Sequence, residues 1–215
     1  MGFQTIIDLI GSSVIFGWLF LITITASVSN KEDFQANQGE LLCQQNLVEL
    51  TRLLEYDFRK IGFCKEPDRL PNPTLAILLA DSNRIKFLTD LDIDGTGPDG
   101  FVDSLYYYLG PTGQIRGGMN NPRVRILYRQ VNNLPVAGSN LGVTNFKLTY
   151  FTKFNDTLAT PVAQANLQKI YSIQISMSVE NVVASAIVET APQNTQFQSA
   201  FWQQRRLSSR NYTNR

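Results

Sequence analysis

Between Thr89 and Asp103 the chain concentrates one reactive group: Asp90, Asp92, Asp94, Asp99 and Asp103 place five carboxylates within fourteen residues, without a single base. The order Asp90-Leu91-Asp92-Ile93-Asp94-Gly95 sets acids at loop positions 1, 3 and 5, and a glycine at 6, where a sharp turn is needed. A hard divalent cation takes about six to eight oxygens converging from a short stretch, so this spacing points to Ca2+. Position 12, which in an EF-hand loop is a bidentate glutamate, is here Phe101, so the loop is not of that standard type. Asp and Gly also favour turns with no metal bound, which is the competing reading. Mutual repulsion of five carboxylates tips the expectation toward a calcium site built from these aspartates.

A sixth acid stands in a different setting. Asp8 borders Leu9–Val28, a run of twenty residues without a formal charge. At about 1.5 Å rise per residue such a helix spans about 30 Å, the thickness of a bilayer's hydrocarbon core. A carboxylate at the edge of that run is costly unless paired, and an α-ammonium group is the only cation close to it. Ser13 and Gly17 form a small-xxx-small pair that permits close helix–helix approach, and Gly11 and Ser12 add to the small residues there. The downstream cluster Lys31-Glu32-Asp33 is of mixed sign, so charge gives little guidance on orientation.

Other chemistry is excluded by composition. The chain has 215 residues, no histidine, two cysteines and a net charge of +1. Without histidine there are no Ser-His or Cys-His nucleophile pairs and no imidazole metal ligands. The sequence has no GxSxG, phosphate-binding glycine loop or CxxC motif, and an enzyme is not expected. Near-neutral charge gives no drive toward nucleic acid, and none is expected as a partner. The basic tail Arg205-Arg206-Leu207-Ser208-Ser209-Arg210-Asn211 reads as an edge strand followed by a solvated end. Cys43 and Cys64 would lie about 30 Å apart on a straight helix, so a bridge between them requires the helix to end and turn back first. Two unpaired thiols, or one intersubunit bridge, are at least as well supported.

The elements that position these groups read as helix first, then strands. Residues 1–30 form a hydrophobic N-terminal helix, and 31–215 a globular head with an amphipathic helix over 31–62 and a β-rich region over 74–207. Leu47, Leu50, Leu54, Phe58 and Ile61 recur at spacings of three and four, giving one apolar stripe. Gln44, Gln45, Glu49, Arg52 and Lys60 fall largely off it. Gly62 is the expected stop, and no breaker separates the two halves, so one helix of about 55 residues is the simplest reading. Beyond Pro73 the period switches to two, with strands expected at Leu75–Ala80, Arg84–Thr89, Asp103–Leu109, Arg123–Gln130, Thr144–Thr152, Lys169–Glu180, Val183–Thr190 and Phe197–Leu207. In Tyr106-Tyr107-Tyr108 alternate rings should face opposite sides of a sheet. Short Asn/Gly/Asp/Pro connections favour antiparallel pairing, and the class is α+β: a long helix whose apolar stripe lies on an antiparallel sheet.

This order of parts resembles the type IV pilins and the pseudopilins of type II secretion, closest to their larger minor subunits. The phrases that carry the likeness are Leu54-Glu55-Tyr56-Asp57-Phe58-Arg59-Lys60-Ile61-Gly62-Phe63 at the helix end and the strand Ile85-Lys86-Phe87. They continue through Asp99-Gly100-Phe101-Val102-Asp103, Leu105-Tyr106-Tyr107-Tyr108-Leu109, Leu127-Tyr128-Arg129 and Arg206-Leu207-Ser208-Ser209-Arg210-Asn211. The resemblance implies a filament subunit, assembling through its N-terminal helix with copies of itself or with other pilins. It would be held in the bacterial inner membrane before assembly and displayed at the cell surface afterwards. Gly2-Phe3 resembles the processing junction of the family, whose acid is the fifth mature residue; counted from Phe3 the fifth is Ile7 and Asp8 the sixth, and counted from Met1 as the mature start the fifth is Thr5. The assembly residues implied are Phe3, Asp8, Gly11, Ser13 and Gly17, with Asp8 meeting a neighbouring subunit's terminal amine. The alternative function is that of a monomeric, membrane-anchored calcium-binding or adhesin-type domain.

Overall fold

The computed structural model describes residues 2–93, 95–114, 121–182, 200–209 and 211. One helix, α1, runs unbroken from Gly2 to Arg59, 58 residues or about 90 Å. No proline occurs before Pro67, which leaves nothing to interrupt the hydrogen-bond ladder. Among the described residues it is the one helix long and apolar enough to cross a membrane. Its polar side chains within the apolar half fold back on their own helix. Ser13 Oγ donates to the Leu9 carbonyl at 2.8 Å, Thr23 Oγ1 to Leu19 at 2.8 Å and Thr25 Oγ1 to Leu21 at 2.8 Å. Hydroxyls satisfied this way can sit in hydrocarbon without an orphaned donor.

The second half of α1 has the expected stripe. Leu47, Leu50, Leu54, Phe58 and Ile61 are buried, while Gln44, Gln45, Glu49 and Arg52 are exposed. The helix stops where the chain must turn. Gly62 adopts φ +73°, donates to the Leu88 carbonyl at 2.9 Å, and would place a Cβ 3.2 Å from the Pro73 carbonyl oxygen. A glycine is required there for both conformation and space.

Strands β1 (Ile77–Ala80), β2 (Arg84–Thr89), β3 (Asp103–Leu109), β4 (Leu127–Val131) and β5 (Ala137–Ser139) form one sheet in that order. Strands β6 (Val143–Phe151), β7 (Thr157–Leu158), β8 (Ser172–Glu180) and β9 (Ala200–Leu207) form a second, in the order β7-β6-β8-β9. Every pairing is antiparallel. The fold is therefore α+β as expected, and among the described residues the strands form two sheets in place of one. Gly142, at φ +75°, turns the chain out of the first sheet, so that β6 pairs with β7 and β8. The expected strand at Val183–Thr190 lies outside the described residues, as does the 197–199 portion of the last one. The expected strand Arg123–Gln130 starts late, at Leu127, because the Arg125 N–H instead donates to the Val143 carbonyl at 2.7 Å, bridging the two sheets.

One core serves both sheets. Phe58 of α1 packs edge-on to Phe87 of β2, with ring centroids 5.5 Å apart, and lies 5.9 Å from Tyr107 of β3. Phe146, Leu148, Ile175 and Met177 of the second sheet belong to the same cluster. Cys43 and Cys64 are both free thiols buried in it. The helix ends before Cys64, and Cys64 Sγ donates to the Gly100 carbonyl at 3.3 Å.

Candidate functional site

The apolar half of α1 reaches solvent on all sides: Phe3 is 79 % exposed, Leu9 71 %, Phe16 70 % and Trp18 72 %. Gly11 and Gly17 have nothing within 4 Å of where a Cβ would stand. At about 100° per residue, Phe3, Ser13 and Gly17 share one side of the helix, while Asp8 and Gly11 fall on the opposite side. The five residues do not make one patch. They make two opposed faces, one small and apolar and one carrying the acid.

The acidic loop is organised differently from its sequence pattern. Asp90 is fully buried at one base of the loop, where Oδ2 accepts from the Lys65 N–H at 2.9 Å and the Gly100 N–H at 3.0 Å. Asp103, buried at the other base, accepts from the Leu91 N–H at 3.0 Å and from Asn132 Nδ2 at 2.6 Å. Asp92 and Asp99 are exposed, each accepting from a backbone N–H of the loop itself, Gly95 at 2.7 Å and Phe101 at 2.8 Å. Asp94 lies outside the described residues. Among the described residues no three His, Cys, Asp or Glu side chains are grouped to hold a metal ion. Asp90 Oδ1 is buried without a hydrogen-bond partner. Two of the five carboxylates thus close the loop as hydrogen-bond acceptors.

Two clusters were not read from the sequence. The first is buried: Asp57 on α1 accepts from the Tyr107 hydroxyl at 2.5 Å and from Arg129 Nε at 2.8 Å, while Arg129 Nη2 lies 3.3 Å from its other oxygen. Asp57 falls on the apolar stripe beside Phe58, and a carboxylate at a stripe position is the signal that could have revealed it. The second is the tail. Ser209, expected to be solvated, is buried; its hydroxyl donates to the Ile61 carbonyl at 2.7 Å, and Asn211 Nδ2 to the same oxygen at 3.2 Å. The end of the chain therefore satisfies a carbonyl that the end of α1 leaves open. Arg206 stacks over Phe151 at 4.0 Å, and Arg205 Nε lies 3.2 Å from Glu55. The middle tyrosine does turn inward, while Tyr106, Tyr108 and Tyr128 stack on the outer face with centroids about 5 Å apart.

Burial raises several protonated groups. The Cys43 thiol is pushed up to about 11 by burial, helped by Glu180 and Glu40. The Tyr107 hydroxyl is pushed well above 10.0 by burial and by Asp57. Burial, with Asp81, also raises Tyr150, which donates to the Asp81 carbonyl at 2.8 Å. Because the folded chain holds these protons more tightly, their stabilisation is complete below the unfolded values of 9.0 and 10.0 and is lost as pH rises through the folded values. The melting temperature should fall from pH 9 to pH 11, and Tyr150→Phe should flatten that fall; a level profile would contradict the buried protonated state.

No protein-family model and no curated protein matches this chain. Among solved structures it is similar to a type IV-like pilin from Thermus thermophilus, with a TM-score of 0.41 and 10% sequence identity, over 80% of this chain and 98% of that one.

Proposed function

We propose that this chain is a structural, non-enzymatic subunit of a type IV pilus-like filament. The observation that carries the reading is the bare apolar half of α1, continuous with a helix whose other half is fixed in the head. So much contiguous apolar surface is not left to water, and a span of this length suits first a bilayer and then a bundle of sister helices. Helices packing against each other in a filament core gain from small residues, which Ser13 and Gly17 supply on one side. Asp8, on the opposite side, pairs with the terminal amine of the next subunit. The chain resides in the inner membrane before assembly and at the cell surface after it. The test is Asp8→Ala, scored by electron microscopy of surface filaments and mass spectrometry of their subunits. Incorporation should be abolished while the head keeps its melting temperature; normal incorporation would sink the pairing.

A further inference from the structure

The head carries a cleft of about 340 Å³ formed by the turn after β6 and the segment entering β8. Its walls include Thr152, Lys153, Phe154 and Asp156 from the turn, and Lys169 and Tyr171 from the segment before β8. The location is fixed by two contacts at opposite ends of the second sheet. Gly39, on α1 near the stem, packs closely against the side chain of Asn181, which follows β8. At the other end, Leu207 pairs with Ile173, and Ser209 just beyond it bonds the Ile61 carbonyl past the end of α1. Tyr171 and Thr152 adjoin that second end. The cleft thus adjoins the end of the second sheet that faces away from the apolar stem, and is called the tip of the head below.

Its lining combines aromatic rings with hydroxyl, carboxylate and ammonium groups. The turn is built to project an aromatic ring: Asn155 takes φ +71°, the Thr152 N–H donates to the Asp156 carbonyl at 2.9 Å, and Phe154 is 86 % exposed. An exposed ring beside a partly apolar wall takes the C–H face of a pyranose. Thr152 Oγ1 donates to Asp156 Oδ2 at 3.4 Å and accepts from the Asp156 N–H at 3.2 Å, which leaves the other oxygen of that exposed carboxylate to accept from sugar hydroxyls. Two ammonium groups, on Lys153 and Lys169, border the same space, and among the described residues neither makes a salt bridge. The volume is at the lower end of ligand clefts, which suits a single ring rather than a polypeptide segment.

We infer that the tip cleft binds one carboxylated pyranose, such as the terminal acidic sugar of a surface glycan, with Lys153 and Lys169 on the carboxylate and Phe154 under the ring. This goes beyond the filament reading and does not depend on it, since binding is measured on unassembled chains. The full chain, solubilised in a non-glycosidic detergent, is titrated with methyl glucuronide, methyl glucoside and inorganic phosphate by calorimetry and saturation-transfer NMR. Saturable binding of the glucuronide is expected, about tenfold tighter than the neutral glucoside. Lys169→Gln and Phe154→Ala should each weaken it about tenfold without moving the melting temperature, since both side chains are exposed. Three results would overturn the assignment: no saturable glucuronide binding, phosphate bound as tightly as the glucuronide, or binding unchanged in both variants.

Discussion

Asp57→Ala is expected to lower the stability of the head by about 3–5 kcal/mol, the range for removing one partner of a buried ion pair. In a chain of this size that corresponds to a drop in melting temperature of about 6–20 °C. The Asp57 side chain is 0 % exposed and that of Arg129 29 %, so neither group recovers full hydration when the other is removed. Three donors converge on the Asp57 carboxylate: the Tyr107 hydroxyl and two nitrogens of Arg129. Alanine would leave a buried hydroxyl and a half-buried guanidinium facing a void. Asp57→Asn keeps an acceptor for Tyr107 but loses the charge, so its cost should fall between alanine and wild type. Replacing all three members together, with Asp57→Leu, Arg129→Met and Tyr107→Phe, should restore much of the loss, because an apolar set of similar volume has no desolvation cost to recover. Thermal melting of the three variants decides the matter; an alanine variant within about 1 kcal/mol of wild type would mean that Arg129 simply turns to solvent.

The triad also sets how the rod meets the head. Its members come from α1, β3 and β4, and together they fix the rotation of the helix against the first sheet. Thr51, whose hydroxyl donates to Gln203 at 2.9 Å, and Glu55, paired with Arg205, do the same against the second sheet. Since α1 is continuous, fixing its second half in the head also fixes the direction in which its exposed half projects. Any assembly through the stem inherits its geometry from these polar contacts as much as from the apolar stripe.

The sequence made the local elements legible and left the long-range choices hidden. The stripe Leu47, Leu50, Leu54, Phe58 and Ile61 is visible because a helix repeats every 3.6 residues, and β2 and β3 match their expected bounds because a polar or charged residue opens each. Which strand pairs with which is not encoded in period two, so a single sheet was expected where β5 and β6 belong to different ones. Asp57 lies at a stripe position that the apolar pattern alone does not single out, and its partner is 72 residues away, so no spacing rule selects Arg129 among the chain's cations. The tail failed for a related reason. Ser209 and Asn211 look like a soluble end until the open Ile61 carbonyl, nearly 150 residues earlier, is placed beside them. The acidic loop is the converse case, a strong local pattern of which Asp90 and Asp103 bond groups at the two bases of the loop while Asp92 and Asp99 stay exposed.

Asp90→Ala is expected to destabilise the head under either reading of that loop, and the response of Asp99→Ala to calcium separates the two. The Asp90 side chain is 0 % exposed, and its Oδ2 holds two backbone N–H groups, one of them on Gly100, whose φ of +87° favours glycine. Removing the acceptor strands both donors, at a cost of about 2–4 kcal/mol, and that loss should appear with chelator as well as with calcium. Asp99, exposed and bonded to the nearby Phe101 N–H, should by contrast cost within about 0.5 kcal/mol when changed to alanine in chelator. A calcium site spanning Asp90, Asp92, Asp94, Asp99 and Asp103 adds a second effect that the hydrogen bonds alone do not. Millimolar calcium should raise the melting temperature of the wild-type chain, and Asp99→Ala should abolish that rise. If neither calcium nor chelator moves the melting temperature, the loop is a hydrogen-bonded turn clipped shut by Asp90 and Asp103. In that case Asp90→Ala still destabilises the fold, because the clip works through backbone donors that need a carboxylate whether or not a cation is present.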